Sequence, residues 1–165
     1  MKNKLSIFVL SMLALYFSSC SSDEKTIGLK QNIHHDDFEY SVQDVEKTAA
    51  IGETKAKGTF YIVAFKVQND AKRVDHKWKN NVAYIVDDSG NEYENDNHLQ
   101  KLLNTRNPFG YKDSYITGAG VTESTVFVFD LPADVKEPCL KVRGEFLMGD
   151  MFDGNQFKNT KVKLF

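Results

Sequence analysis

Thr59-Phe60-Tyr61-Ile62-Val63-Ala64-Phe65-Lys66-Val67-Gln68 decides the fold class. Phe60, Tyr61, Ile62, Val63, Phe65 and Val67 are aromatic or β-branched. Such side chains suit a pleated surface and are stiff at χ1 in a helix. Asn69-Asp70 closes the stretch with turn chemistry. Upstream, Phe38-Glu39-Tyr40-Ser41-Val42 alternates apolar and polar, the period of a half-buried strand. Downstream, Val82-Ala83-Tyr84-Ile85-Val86 runs into Asp87-Asp88-Ser89-Gly90-Asn91 and then Glu92-Tyr93-Glu94. Acid and serine entering a tight turn, with glycine at its end, predict a hairpin. Residues 122–131 hold Val126, Phe127, Val128 and Phe129 and stop at Pro132, which cannot supply a ladder donor. Residues 139–146 and 161–165 alternate with period two. At least six strands at short intervals predict an all-β chain folded as an antiparallel β-sandwich. One short helix breaks the pattern at 96–104: Leu99, Leu102 and Leu103 recur at helical spacing, and Asp96 can cap them. The expectation is that its leucines lie as a lid over an open end of the sandwich.

The start of the chain has a different character. Met1-Lys2-Asn3-Lys4 is charged, an unbroken apolar run follows from Leu5 to Phe17, and Ser18-Ser19-Cys20 comes next. A basic start, a short apolar segment and small residues at the cut describe an export signal. The apolar run is short of the roughly 20 residues a spanning helix needs. Cys20 at the cut resembles the lipobox of bacterial lipoproteins, with Phe17 where a leucine is usual. The resemblance implies cleavage before Cys20, a diacylglyceryl thioether on its sulfur and an acylated new N-terminus. More than one acyl chain gives stable membrane attachment, whereas a single chain is marginal. The predicted organisation is therefore a lipoprotein signal peptide at 1–19, a lipid-anchored flexible tether at 20–36 and a sandwich domain at 37–165. The tether reading rests on polar composition. Asp23 and Glu24 read as solvated linker, although acids there are also similar to a surface-export signal of Bacteroidota lipoproteins.

The 165 residues carry 21 basic and 23 acidic side chains. Loss of 1–19 removes Lys2 and Lys4, leaving 19 against 23, a formal charge of −4. That balance excludes nucleic acid as a partner, which calls for a basic face. If Cys20 carries lipid, Cys139 has no cysteine to pair with, so no disulfide framework stabilises the domain. Cys139 reads as a buried free thiol.

Lys57-Gly58-Thr59-Phe60-Tyr61-Ile62-Val63-Ala64-Phe65-Lys66-Val67-Gln68-Asn69 resembles the signature strand of a bacterial lipoprotein family of unknown function. The hairpin 87–93, the late strand 125–132 ending in proline, and the opening strand 40–45 are similar to that family in order and spacing. The resemblance covers roughly 38–165. It implies an immunoglobulin-like domain similar in fold to a secreted mycobacterial antigen, and it carries no catalytic residues over. Some members bear the name of a telomeric-repeat-binding factor, a role that an exported acidic lipoprotein does not meet. Thr117-Gly118-Ala119-Gly120 departs from the family's usual turn.

Four stretches are candidates for function. His34-His35-Asp36-Asp37 places four metal-ligand types in a row, but neighbours rarely converge on one ion, so it reads as solvated tether. Asp87, Asp88, Asn91 and Glu92 lack EF-hand spacing and are explained by the turn. Lys72-Arg73-Val74-Asp75-His76-Lys77-Trp78-Lys79 is a basic loop around the sole tryptophan. Trp78 covers an edge of the core, or else anchors the loop on an anionic headgroup or glycan. Phe146-Leu147-Met148-Gly149-Asp150-Met151-Phe152-Asp153-Gly154 packs Phe and Met between glycines. Either Phe146, Met148 and Phe152 continue two strands into the core, or Met148, Met151 and Phe152 are exposed and bind a partner. The four histidines adjoin no candidate nucleophile, and neither a phosphate loop nor a dinucleotide fingerprint is present.

The expected function is a non-catalytic interaction module, with no cofactor and no metal. It is held to the bacterial envelope by lipid on Cys20, on the outer membrane of a Gram-negative cell, and meets an envelope or extracellular protein. A small metal-binding or hydrolytic envelope protein, and a structural stress lipoprotein without a ligand, are the alternatives.

Overall fold

The computed structural model describes residues 24–104, 112 and 114–165. Residues 1–19, the expected signal peptide, and Cys20 lie outside the described residues. In chain order the elements are β1 (Lys25–Ile27), β2 (Asn32–His35), β3 (Phe38–Ile51), β4 (Thr54–Asn69), β5 (His76–Lys79), β6 (Ala83–Val86), β7 (Glu92–Tyr93), α1 (Asn97–Asn104), β8 (Ser114–Thr117), β9 (Thr122–Leu131), β10 (Cys139–Val142), α2 (Asp150–Asp153), α3 (Gln156–Asn159) and β11 (Thr160–Lys163). One sheet has the order β1-β11-β10-β6-β7 and the second β2-β3-β4-β9, while β5 and β8 form a separate ribbon. All pairs are antiparallel except β1 with β11. The architecture is the expected immunoglobulin-like β-sandwich.

Strand β4 shows how period-two sequence builds two layers. Tyr61, Val63, Phe65 and Val67 face the core between the sheets, where they meet Phe127, Phe129, Leu140 and Val162. Phe60 and Ile62 point the other way, onto a second cluster with Val128 and Leu99. The helix thus lies on the outer face of the second sheet, which corrects the expected lid over an end. Its outer-face sites are apolar because β4 and β9 carry apolar residues on both sides. Asp96 caps it as the sequence indicates: Oδ1 accepts from the N–H groups of His98 (2.9 Å) and Leu99 (3.0 Å). Leu99 is buried, whereas Leu102 is exposed. The pairing of β3 with β4 slips between Val42 and Asp44 and again between Thr48 and Ala50. Such bulges bend and twist a long ribbon. At Gly58 a Cβ would collide with the backbone at Leu131–Ala133, so only glycine lets the end of β9 cross there.

The tether boundary is corrected. Lys25 pairs with Thr160 and Ile27 with Val162, and β2 runs against β3 from Asn32 opposite Ser41 to His35 opposite Phe38. Polar composition hides these strands because only Ile27, Ile33 and His35 point inward. Residues 76–79, read as loop, are a strand whose one buried member is Trp78. Within residues 146–154, read as loop or strand continuation, Asp150–Asp153 form the short helix α2, and α3 follows at Gln156–Asn159.

The register defines two ends. Lys25 and Thr160 start their strands side by side, Val142 ends β10 opposite Ala83, and the β2–β3 turn sits against the segment after β10. This leader-proximal end collects 36–37, 70–75, 118–121 and 143–159. The far end collects the turns at 52–53, 87–91 and 132–137.

Candidate functional site

At the leader-proximal end a buried polar chain runs inward from helix α2. Asp150 and His35 are each 1% exposed. Asp150 Oδ2 accepts from the Leu147 N–H at 2.7 Å and lies 3.3 Å from His35 Nε2. The same Nε2 is 3.0 Å from the Glu145 carbonyl, which can only accept, so this nitrogen carries a proton. His35 Nδ1 is 3.3 Å from the Tyr40 hydroxyl, and that hydroxyl is 2.7 Å from His76 Nε2. The order is Asp150–His35–Tyr40–His76. Tyr40 has one hydroxyl hydrogen, so it donates to one imidazole and accepts from the other.

Aromatic rings fix the two imidazoles. Phe157 stacks on His35 with centroids 3.9 Å apart, and Phe38 stacks on His76 at 3.8 Å. Gly144 completes the seat of His35, since a Cβ there would collide with the imidazole. Desolvation moves His76 down to about 4, with the charge of His35 adding to the effect. Burial first, and the Asp150 carboxylate second, push the Tyr40 phenol above its usual range. The phenol therefore stays O–H, and its one hydrogen goes to His35 Nδ1 or to His76 Nε2. The other ring nitrogen of His76, Nδ1, has no hydrogen-bond partner among the described residues.

His76 forms part of the wall of an open cleft of about 570 Å³. Phe38 and Leu147 give the cleft apolar surface, Lys77 and Lys79 stand on the β5 side, and Glu145 faces them from the segment after β10. Lys77 and Lys79 are exposed and make no ion pair among the described residues. The arrangement supplies a free imidazole nitrogen, two cations and an apolar floor. Burial suppresses the phenolate of Tyr40, so this phenol is not poised as a nucleophile.

The sequence-derived candidates separate. Trp78 is 5% exposed, stacks on Tyr115 at 3.9 Å and donates from Nε1 to Thr117 Oγ1 at 2.9 Å. The core reading of Trp78 holds, and the reading of an exposed headgroup anchor is corrected. Met148, Met151 and Phe152 are 78%, 69% and 89% exposed, with Phe146 beside them, so they do not continue strands into the core. His34 faces solvent against Glu39 at 2.7 Å, which raises its pKa, while His35 is interior; the solvated reading of 34–37 fails for His35. Asp87 uses both oxygens inside the hairpin, accepting from Ser89, Asn91 and Tyr93, as the turn explanation requires. Cys139 is buried and free, and burial pushes its thiol up. Among the described residues no group of three or more His, Cys, Asp or Glu side chains could hold a metal ion.

Sequence reasoning missed His35, Tyr40, His76 and Asp150 as a set. The available signal was the alternation Ile33/His35 and Phe38/Tyr40, which puts both polar groups on the inward face.

No protein-family model matches the chain, and no curated protein matches it in sequence. Solved structures are similar to it in fold. The yjhA protein of Bacillus subtilis has a TM-score of 0.57 at 11% identity, over 86% of this chain and 99% of that one. A conserved hypothetical protein of Bacillus anthracis gives 0.55 at 16%, over 72% and 91%. The secreted Mycobacterium tuberculosis protein MPT63 gives 0.53 at 13%, over 75% and 92%. At these identities the likeness is one of fold, and it agrees with the expected fold, similar to that of a secreted mycobacterial antigen.

Proposed function

We infer that the protein is a non-catalytic binding module of the bacterial envelope, held by lipid on Cys20 to the outer membrane of a Gram-negative cell. The leader pattern at 1–20 supports the anchor, as does the resemblance to a lipoprotein family. No helix among the described residues is long and apolar enough to cross a membrane.

The observation that carries the binding role is the cleft beside β5. Its apolar floor at Phe38 and Leu147, the free nitrogen of His76 and the unpaired Lys77 and Lys79 suit one kind of occupant. That occupant is a segment of an envelope or extracellular protein with an acidic side chain next to an apolar one. The buried chain Asp150–His35–Tyr40 serves to hold His76 in orientation, not to activate a nucleophile.

The test is photocrosslinking in the native cell, with a photoreactive residue replacing Lys79. The expected result is one dominant protein adduct, weakened by Lys77→Glu without a change in melting temperature. No adduct, or an equal yield from a photoreactive residue at Ser89 in the far hairpin, contradicts the reading. Intact mass tests the anchor separately: an acylated chain beginning at Cys20 is expected, and an intact Met1 with an unmodified sulfur contradicts it.

A further inference from the structure

The most exposed apolar side chains of the described residues are gathered in one place. Phe152, Met148 and Met151 lie in the β10–β11 connection together with Phe146, which is 54% exposed. The far-end turns at 52–53, 87–91 and 132–137 carry no exposed large apolar residue. Contiguous exposed apolar surface marks a contact site. The question is what covers it, and the direction in which the chain leaves the sandwich answers it.

The strand that receives the leader, β1, begins at Lys25 beside Thr160. Thr160 is the residue that follows α3, so the leader emerges next to the connection that bears the apolar crown. Glu24 is pinned there as well, 2.9 Å from Lys141 Nζ and 2.6 Å from Lys161 Nζ. From Glu24 back to Cys20 is four residues. At about 3.3–3.6 Å per residue they reach at most about 14 Å. A lipid on Cys20 therefore sits no farther than that from the strand end beside the crown. A bilayer holding that lipid lies close to this end of the sandwich.

We propose that Phe146, Met148, Met151 and Phe152 form a bilayer-docking face, seated in the lipid interface beside the acylated Cys20. The proposal rests on the reading that Cys20 carries lipid. Docking orients the domain, with the far end pointing away from the membrane. The seating of the crown is apolar in kind, because Phe146, Met148, Met151 and Phe152 carry no charge; Lys77, Lys79 and Lys158 are exposed cations of the same end and add to the contact only where the lipid is anionic. Zwitterionic lipid suffices for it, and added salt does not release it.

The experiment uses the full lipidated protein in phosphatidylcholine vesicles containing brominated phosphatidylcholine, which quenches tryptophan in the acyl region. Phe152→Trp is compared with Asp88→Trp in the far hairpin. Trp78 is common to both and sets the background. Strong quenching with a blue shift for Phe152→Trp, and background quenching for Asp88→Trp, is the expected result, unchanged at high salt. Vesicle-bound protein with neither tryptophan quenched overturns docking while the anchor stands. Protein that does not float with the vesicles overturns the anchor and the docking together. A residue at 152 that stays unquenched on vesicles but crosslinks to a protein in cells gives the crown to a protein partner and also overturns the proposal.

Discussion

The two ends of this sandwich solve the same problem, turning the chain between sheets, in opposite ways. In the far hairpin, Asp87 takes in two backbone N–H groups, the Asn91 amide and the Tyr93 hydroxyl, and Gly90 supplies the positive φ of 82°. Asp87 finds all four of these partners within the hairpin, and residues 87–91 leave no large apolar side chain outside. At the leader-proximal end the pattern is reversed. A carboxylate and an imidazole are buried, while two methionines and two phenylalanines of the same connection face out or lie half covered by it. Asp150 Oδ1 is buried with no hydrogen-bond partner among the described residues. The far hairpin is accounted for by its own turn. The leader-proximal end carries features that stability alone does not explain.

Four effects of substitution sharpen or break that contrast. The largest effect belongs to Asp150→Ala, which leaves His35 buried without its carboxylate and the Leu147 N–H without its acceptor. Removing one partner of a buried pair costs about 3–5 kcal/mol, read as a lowered urea midpoint. Asp87→Ala in the far hairpin is solvent-facing and shifts the midpoint far less; equal losses would erase the distinction between the ends. Gly144→Ala comes next, at about 1–3 kcal/mol, because its methyl meets the His35 ring and the core must shift. An unchanged midpoint would mean that the seat of His35 is loose.

The third effect is a pH dependence. His76 is held at about 4 in the folded protein, against about 6.5 in an unfolded chain. Between those values the unfolded chain binds the extra proton, so this contribution is fully present above about 6.5 and falls as pH drops toward 4. Below 4 the loss is complete and constant. His76→Phe flattens that window in a series of denaturation curves, and a curve as steep as the parent's would remove His76 as the cause. The smallest effect on stability is that of Met151→Ser with Phe152→Ser. Exposed sites away from special contacts stay within about 0.5 kcal/mol, while docking on the bilayer is lost. A melted domain would show that these side chains are packed after all.

Much of the far end and the central ribbon was legible in the sequence, because their causes are local. The β-branched and aromatic run of β4, the Asp-Gly hairpin and the Asp96 cap are each decided within a few residues. The leader-proximal end was less legible for the opposite reason. His35 is satisfied by Glu145 and Asp150, more than a hundred residues away. Strand β1 is three residues long and exists through a parallel partner at the other end of the chain. Trp78 is buried because Tyr115 stacks on it across the β5–β8 ribbon. For Phe146, Met148 and Phe152 the alternation fitted a strand as well as a crown. The residues at 149–150 decide between them: the chain turns into α2 there, with Asp150 inward and its apolar neighbours left outside.

Hydrogen exchange on the lipidated protein in native membrane fragments, compared with the same protein in detergent, tests most directly whether the leader-proximal end is the working end. The account predicts added protection concentrated in residues 72–79 and 143–153, with the turns at 52–53 and 87–91 unchanged. Added protection centred on those far turns, or spread evenly over both ends, would contradict it.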